Sequence, residues 1–362
     1  MALKEKVVVA MSGGVDSSVT AALLLKQGFE VIGVTMQIWD PEINEPGGHE
    51  TGCCSLAAVD DARLVADKLG FPHYIMNFRE VFKEKVVEYF MGEYMRGRTP
   101  NPCIACNRYV KFDSLLDKAL GLGAEYIATG HYARLGFSEG FNRYTVSRPL
   151  DRKKDQTYVL YGLTQYQIAH TLTPLADYTK EQVRVIAANL GLPVAYKVES
   201  QEICFVLDNN YRGFISGEKS GIRPGRFLNT KGEVIGEHRG VPFYTIGQRR
   251  GLGVAAGERL YVIKIDAEEN TITLGPEEAI MGTDLIAGDV NMILFERIEG
   301  PLEVEAQIRY KSRPAPATLT PLSSGRVSVH FHTPQRSITP GQAVVFYLGD
   351  FVVGGAIIES TG

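Results

Sequence analysis

A glycine-containing loop between two apolar runs near the N-terminus constrains this fold more than any other feature of the chain. Residues 6–11 read "KVVVAM", residues 12–18 read "SGGVDSS", and residues 31–36 read "VIGVTM". Continuous apolar runs are typical of strands buried on both faces of a parallel sheet. Helical spacing follows the loop and ends at Gly28, a favourable C-terminal cap. The pattern therefore predicts a strand, a loop, a helix and a parallel strand.

The same alternation of strand and helix continues to about residue 205, which predicts a doubly wound α/β domain with a parallel sheet. Further helices are predicted near 54–70, 80–95, 110–120 and 179–193, and strands at 73–78 and 126–133. A proline-rich loop before the 110–120 helix carries Cys103 and Cys106.

The C-terminal part of the sequence differs in composition and in its pattern of apolar residues. Residues 206–280 are glycine-rich with short strand patterns, and residues 281–362 alternate like the strands of a small β-barrel. The predicted domain boundaries are 1–205 for the α/β domain, 206–280 for a small central domain and 281–362 for a barrel.

Composition restricts the class of protein. The chain has 362 residues, 44% of them hydrophobic and 22% charged, as in soluble globular proteins of two or three domains. Apolar runs are too short for a membrane span or a signal peptide, so we expect a cytoplasmic protein whose five cysteines stay reduced.

The charge is unevenly distributed. The net charge is −4, yet residues 307–349 contain five Lys or Arg and no Asp or Glu. A second basic cluster comprises Arg148, Arg152, Lys153 and Lys154. Local basic surfaces can bind a polyanion despite the net charge, although a solvated surface is the simpler interpretation of either cluster alone.

The loop at residues 12–18 has the chemistry of an anion site. Its glycines allow a tight turn, and the helix N-terminus after it supplies free N–H groups and a positive dipole end. Ser12, Ser17 and Ser18 add hydroxyls, and Asp16 can hold a Mg²⁺ that bridges phosphates. An ordinary strand-to-helix turn needs fewer such residues, and the Lys-Ser/Thr of the Walker pattern is absent.

The loop resembles the PP-loop of ATP pyrophosphatases, which adenylate a substrate oxygen. GMP, asparagine and argininosuccinate synthetases share such a loop. The loop therefore implies adenylation by ATP but does not identify the substrate. Motifs along the rest of the chain resemble those of bacterial tRNA-specific 2-thiouridylases: "CCSLAAVDDARLVADKLG", "TPNPCIACNRYVKFD", "ATGHYAR", "KDQTYVLY" and "YTIGQRRGLG".

That resemblance implies a tRNA-uridine 2-sulfurtransferase acting on the wobble uridine of tRNAs with Lys, Glu and Gln anticodons. ATP, with Mg²⁺, would adenylate the C2 oxygen, and a cysteine persulfide would then replace it with release of AMP and pyrophosphate. The implied partners are the tRNA and a persulfide-carrying relay protein or cysteine desulfurase. We expect a monomer and no membrane partner.

The resemblance also assigns residues. Cys106 is implied as nucleophile and Cys204 as persulfide carrier, joined transiently in a disulfide, with Asp16 also catalytic. The implied ATP-binding residues are Ala10, Met11, Ser12, Gly13, Gly14, Val15, Asp16, Ser17, Met36 and Gly130. The implied tRNA-binding residues are Asn101, Pro102, Cys103, His131, Lys154, Asp155, Gln156, Arg309, Tyr310 and Gln342.

The residue types fit an RNA partner. Arg309, Lys311 and Arg313 are expected to alternate on one face of a strand and meet phosphates, while Tyr310 can stack on an exposed base. A neutral His131 can hydrogen-bond RNA, although a structural histidine is the competing interpretation.

Cys103 departs from the family pattern, because many members have an aspartate there. A thiol cannot replace a carboxylate base near neutral pH unless it is deprotonated. Cys103, Cys106 and Cys204 could instead ligate a [4Fe–4S] cluster with an open position for sulfide. Cys53 and Cys54 receive no firm role. Another PP-loop enzyme, such as an amide-forming synthetase, and a non-catalytic RNA-binding or iron–sulfur scaffold remain as alternatives.

Overall fold

The computed structural model describes residues 4–38, 56–198, 203–206, 210–218, 221–254 and 257–361. The chain divides into two compact units. The first unit comprises Met1–Val86, Cys103–Asn209 and Asp350–Val352, and the second comprises Val87–Pro102, Asn210–Gly349 and Val353–Gly362. In these described ranges, no helix combines the length and the apolar character that crossing a membrane requires. Cys53 and Cys54 lie outside the described residues.

A parallel sheet forms the centre of the first unit, in the strand order β3-β2-β1-β4-β7. Its strands are β1 (Lys6–Ala10), β2 (Glu30–Gln37), β3 (His73–Asn77), β4 (Tyr126–Ala128) and β7 (Thr171–Leu172). An antiparallel hairpin of β5 (Arg134–Ser138) and β6 (Arg143–Ser147) completes the strands of this unit.

Helices alternate with these strands along the chain. They are α1 (Val15–Gln27), α2 (Leu56–Leu69), α3 (Arg79–Phe82), α5 (Pro102–Ala105), α6 (Leu115–Gly121), α7 (Gln165–Ala169) and α8 (Lys180–Asn189), while α4 (Tyr89–Met95) and α9 (Tyr211–Glu218) belong to the second unit. Lys83–Glu88 and Cys106–Ser114 are wound as π-helices. Shorter 3₁₀ turns span Arg152–Lys154, Thr157–Leu160, Pro174–Asp177, Val241–Phe243 and Glu277–Ile280.

The central strand explains why the sheet is parallel and buried. Val7, Val8 and Val9 of β1 are completely buried, as expected for a strand covered on both faces. Leu24 of α1 packs into the same core, and α1 ends where the N–H of Gly28, with φ of 96°, bonds back to its last turn. The predicted doubly wound sheet is thereby confirmed.

Two local predictions in this unit are wrong. The expected loop around Cys103 and Cys106 is helical, because Pro102 begins α5 and the helix continues through Ser114. Proline fits the first turn of a helix, where its missing N–H costs no hydrogen bond. The strand predicted over 126–133 ends at Ala128, and the chain then turns toward α1 through Gly130.

The second unit contains a four-stranded mixed sheet, followed in the chain by a barrel. The sheet has the order β10-β11-β8-β9, formed by β8 (Gly225–Leu228), β9 (Val234–His238), β10 (Tyr261–Asp266) and β11 (Thr271–Gly275). Phe227 is completely buried at its centre.

The C-terminal strands close into the predicted β-barrel. They follow the order β12-β15-β14-β13-β16-β17, and β12 pairs back with β17. The strands are β12 (Met281–Met292), β13 (Leu302–Gln307), β14 (Ala315–Pro321), β15 (Val327–Arg336), β16 (Ala343–Leu348) and β17 (Phe351–Thr361). Closure pairs the backbone N–H and C=O groups that the edges of an open sheet would leave unpaired.

Candidate functional site

The loop between β1 and α1 is held in place by its own hydroxyls. Ser17 and Ser18 donate hydrogen bonds to the Gly14 carbonyl at 3.2 and 2.8 Å, and the Ser12 N–H donates to Ser17 Oγ at 3.2 Å. Gly14 is extended and precedes the first turn of α1. The loop therefore presents a helix N-terminus, with its free N–H groups, at the end of a buried strand.

Two glycines allow neighbouring segments to approach this loop closely. Gly13 has φ of +64°, and a Cβ atom there would lie 2.2 Å from the Ala58 carbonyl oxygen of α2. At Gly130, a Cβ would lie 2.9 Å from Asp16 Cβ and from the Ser17 nitrogen. The structure thus brings Gly130, distant in sequence, against the predicted ATP-binding loop.

The other residues predicted to bind ATP lie at the carboxyl ends of β1 and β2 and at the start of α1. Ala10 ends β1, Met11 follows it and is buried, and Val15 is the buried first residue of α1. Met36 is half-buried near the end of β2, two residues beyond the partner of Ala10 in the parallel register. The set therefore lines the carboxyl end of the central strands, where α/β sheets bind ligands.

Asp16 is held by a lysine that sequence reasoning missed. Lys180 Nζ lies 2.7 and 2.8 Å from the two Asp16 carboxylate oxygens, and the Tyr132 hydroxyl donates to the same carboxylate at 2.8 Å. The Lys180 side chain is 7% exposed. Both oxygens already bind an ammonium group, so this arrangement does not fit Asp16 as a ligand of Mg²⁺.

A second lysine also reaches the loop. Lys197 Nζ donates to the Gly13 carbonyl at 3.1 Å and to the Asp61 carboxylate of α2. No local signal in the sequence points to this contact, because Lys197 and Gly13 are 184 positions apart. Lys197, which precedes Cys204 by seven positions in the chain, is therefore attached to the loop.

Cys103, Cys106 and Cys204 are thiols in this structure. Cys103 is exposed, whereas Cys106 and Cys204 are half-buried. Phe205, next to Cys204, packs edge-to-face on Phe82 of α3 with ring centroids 5.7 Å apart. The π-helical segment that begins with Cys106 also packs against α3. The segments that carry Cys106 and Cys204 therefore border the same short helix.

The proposed cluster ligands do not assemble. Across the described ranges, which include Cys103, Cys106 and Cys204, no group of three His, Cys, Asp or Glu side chains is arranged to hold a metal. The residues present therefore do not fit a [4Fe–4S] cluster in this conformation, and we derive no step through one.

His131 is buried beside the helix that carries Cys106. Its Nδ1 lies 2.8 Å from Thr129 Oγ1, and its ring centroid lies 5.7 Å from that of Phe112. Burial, with a smaller effect of the nearby Lys111 charge, holds the pKa of His131 well below its usual value. His131 is therefore neutral at physiological pH and offers hydrogen bonds rather than charge.

The segment containing Lys154, Asp155 and Gln156 is structurally anchored. The Asp155 carboxylate accepts hydrogen bonds from the N–H and hydroxyl of Thr157 at 2.9 and 2.7 Å. Gln156 Oε1 accepts from the Tyr132 N–H at 2.8 Å. Asp155 and Gln156 thus shape the segment, while Lys154 is half-buried in a 3₁₀ turn.

The basic residues after β13 do not alternate along a strand, so that prediction is wrong. Residues 308–312 form a turn, because Gln307 Nε2 donates to the carbonyls of Arg309, Tyr310 and Ser312 at 2.9–3.0 Å. Lys311 is exposed and Tyr310 is 41% exposed at this turn. The turn still presents a cation and an aromatic ring outward.

Within the second unit, Arg309 and Gln342 both bond to Thr339, Arg309 through its side chain and Gln342 through its N–H at 3.2 Å. Arg309 Nη2 donates to the Ser337 carbonyl and the Thr339 hydroxyl, both at 2.6 Å. Gln342 Nε2 donates to the Thr99 carbonyl at 2.7 Å. Asn101, which is half-buried, and Pro102, which is buried at the start of α5, follow Thr99 by two and three residues.

Three models of known families match successive parts of the chain. The tRNA methyl transferase HUP domain matches residues 5–208, the tRNA methyl transferase PRC-barrel domain matches 214–276, and the aminomethyltransferase beta-barrel domain matches 283–358.

Several relatives that match nearly the whole chain carry the same name. A tRNA-specific 2-thiouridylase MnmA from Pelotomaculum thermopropionicum is 72% identical over 359 residues, covering 99% of this chain and 98% of the relative. The chain belongs to the tRNA-specific 2-thiouridylase family. The members from Desulforamulus reducens and Carboxydothermus hydrogenoformans are 64% and 57% identical and cover 100% and 98% of this chain, and 99% and 98% of their own.

Proposed function

We propose that this protein catalyses ATP-dependent 2-thiolation of the wobble uridine in tRNA. The observation that carries the proposal is the 72% identity to a tRNA-specific 2-thiouridylase over nearly the whole chain. The geometry supports it, because the loop at residues 12–18, Cys106 and Cys204 lie in one compact unit.

Adenylation is the first chemical requirement. The C2 carbonyl of uridine is a poor electrophile and its oxygen a poor leaving group. The C2 oxygen attacks the α-phosphorus of ATP, pyrophosphate leaves, and the oxygen becomes part of an AMP ester. The N–H groups at the start of α1 stabilise the phosphates, and Mg²⁺ bound with ATP would offset their charge.

Sulfur transfer follows. The terminal sulfur of a persulfide on Cys204 attacks C2, and the C2–O bond breaks with release of AMP. The Cys106 thiolate then attacks Cys204 Sγ, which breaks the sulfur–sulfur bond to the base and forms a Cys106–Cys204 disulfide. The product is 2-thiouridine, and a thiol reductant must restore both cysteines before the next turnover.

Recognition of tRNA is assigned to the exposed turn at Tyr310 and Lys311, to Lys154 and to the neighbourhood of Gln342 and Asn101. Tyr310 can stack on a base, as recognition of single-stranded RNA loops requires. The neutral His131 and Cys103 complete the proposed contacts. The tRNA set with Lys, Glu and Gln anticodons, a persulfide-carrying donor protein, a monomeric state and a cytoplasmic location belong to the same proposal.

The test is to incubate the full chain with ATP, a persulfide donor and unmodified tRNA, and to analyse the nucleosides for 2-thiouridine. Cys106→Ser and Cys204→Ser are each expected to abolish the product, and a reaction without ATP is the control. Near wild-type product with either variant would overturn the persulfide–disulfide route.

The same preparation tests the alternatives. We expect the protein purified without oxygen to contain no stoichiometric iron and sulfide, and ATP cleavage to depend on tRNA. Stoichiometric iron whose removal abolishes product would favour a cluster, and rapid ATP cleavage without tRNA would favour a small-molecule synthetase.

A further inference from the structure

Lys180 occupies an unusual position for a lysine. It is the first residue of α8, its side chain is 7% exposed, and its ammonium contacts both oxygens of Asp16, 164 positions earlier. The same ammonium lies 5.9 Å from the ring centroid of Tyr132, whose hydroxyl also donates to Asp16. The Asp16 carboxylate is therefore enclosed by a cation and a phenol.

The electrostatic consequence concerns anion binding. Asp16 is in the first turn of α1, where the loop presents its N–H groups, so its negative charge would repel incoming phosphates. The Lys180 ammonium compensates that charge. Without it, a half-buried carboxylate at the phosphate-binding end of α1 would remain without its ammonium partner, which is unfavourable.

Lys180 also connects the loop to the segment 151–156. The Lys180 N–H donates to Asp151 Oδ2 at 3.0 Å, and Asp151 Oδ1 accepts from the Lys153 N–H at 3.1 Å. One carboxylate therefore caps both α8 and the 3₁₀ turn Arg152–Lys154.

Tyr132 makes a second connection to the same segment. Its N–H donates to Gln156 Oε1 at 2.8 Å, and its carbonyl accepts from the Gln156 N–H at 3.0 Å. The two ends of segment 151–156 are thus fixed by the two residues that hold Asp16.

We propose that Lys180 is a positioning residue that neutralises Asp16 and, together with Tyr132, couples ATP binding at the loop to RNA binding at segment 151–156. The inference rests on the proposed function, which places RNA at Lys154. RNA bound to this segment restrains Asp151 and Gln156, which in turn restrain Lys180 and Tyr132 on Asp16. Binding of RNA therefore tightens ATP binding, and ATP tightens RNA binding by the same factor.

The experiment measures the Kd of a non-cleavable ATP analogue, with a methylene bridge between the α- and β-phosphorus atoms, with and without saturating unmodified tRNA. For the wild-type chain, tRNA is expected to lower this Kd by about fivefold or more. Lys180→Met is expected to raise the Kd without tRNA by about tenfold or more, and to bring the tRNA-dependent ratio close to one. Lys180→Arg, which keeps the charge, should restore most of the affinity.

Lys68→Met is the matched control, because the Lys68 ammonium bonds the Gly191 carbonyl of the same unit and does not contact Asp16. It should bind the analogue like the wild type, with the same tRNA-dependent ratio. Tyr132→Phe removes only the hydroxyl that donates to Asp16, and it should lower the tRNA-dependent ratio of the analogue Kd values. This variant replaces Lys180→Met as the test if Lys180→Met fails to fold.

The outcomes separate this inference from the proposed function. If wild-type protein makes 2-thiouridine but tRNA leaves the analogue Kd unchanged, or folded Lys180→Met keeps the wild-type Kd and ratio, the inference is wrong and the function stands. If wild-type protein neither binds tRNA nor makes the product, the proposed function falls.

Discussion

At the scale of single residues, the loop at residues 12–18 depends on glycine, because glycine has no side chain where two segments approach closely. Gly130 faces Asp16 and Ser17 so closely that even one methyl group would contact backbone atoms at 2.9 Å. The same approach fixes the position of the first turn of α1, where the phosphates are proposed to bind.

Gly130→Ala should therefore displace this turn. We expect a loss of about 1–3 kcal/mol in the free energy of unfolding and a clearly weaker binding of the ATP analogue. Gly121→Ala is the control, since it lies at the end of helix α6 with nothing within 4 Å of the added Cβ. Calorimetric titration and urea unfolding measure both effects, and equal analogue affinities for the two variants would contradict the prediction.

His131 determines a second property at this scale, the pH dependence of stability. Its pKa lies well below the value of 6.5 that it has in an unfolded chain. Between these two pKa values the unfolded chain binds a proton that the folded protein does not. The free energy of unfolding should therefore fall as the pH decreases below 6.5, by about 1.4 kcal/mol per pH unit for this residue.

Urea unfolding at about pH 7.5 and about pH 5.5 measures this dependence. His131→Gln should show a smaller decrease between the two conditions. His73 and His238, whose pKa values burial also lowers, are present in both proteins and give the same background. Identical decreases in the variant and the wild type would show that His131 is not the source.

At the scale of elements, α8 is the helix that delivers Lys180. It begins with a capping box, in which the Thr179 hydroxyl accepts from the Gln182 N–H and the Gln182 side chain accepts from the Thr179 N–H. This signal is local and readable in the sequence. The contact of Lys180 with Asp16 cannot be predicted from local sequence, because the two residues are 164 positions apart.

Thr179→Ala removes one half of this capping box. It should lower the free energy of unfolding by about 1 kcal/mol, because the first turn of α8 loses a hydrogen-bond acceptor. Thr179→Ser keeps the hydroxyl and should remain close to wild type. Urea unfolding followed by circular dichroism compares the two, and equal losses would argue against the cap.

At the scale of the whole molecule, the proposed RNA affinity arises from local charge and not from the net charge of −4. The turn at residues 308–312 places Lys311 in solvent, and no Asp or Glu lies between residues 307 and 349. Phosphate contacts release counterions, so tRNA affinity should fall steeply with salt.

Lys311→Gln should weaken tRNA binding and reduce the slope of log K against log salt by about 1. Lys26→Gln, an exposed lysine in the last turn of α1, is the control and should leave the slope unchanged. Filter-binding titrations at several salt concentrations give both slopes. A slope unaffected by Lys311→Gln would remove this turn from the RNA-binding surface.

Much of this protein was predictable from its sequence, because the signals are local. Buried strands appear as apolar runs, glycines mark helix ends and loops, and the motif set indicates the family. The errors were also local. The sequence predicts a loop at Pro102, which instead starts a helix, and a strand after Gln307, where one glutamine side chain folds the chain into a turn.

Only the tertiary structure decided which distant groups meet. Asp16 and Lys180 are 164 positions apart, Thr99 and Gln342 are 243 apart, and Gly130, just past the carboxyl end of β4, lies against the first turn of α1. No periodicity or propensity encodes such pairs, because they depend on how helices and strands pack around the sheet. The sequence by itself determined the strands, the loop and the thiols, and the packing determined which charges surround them.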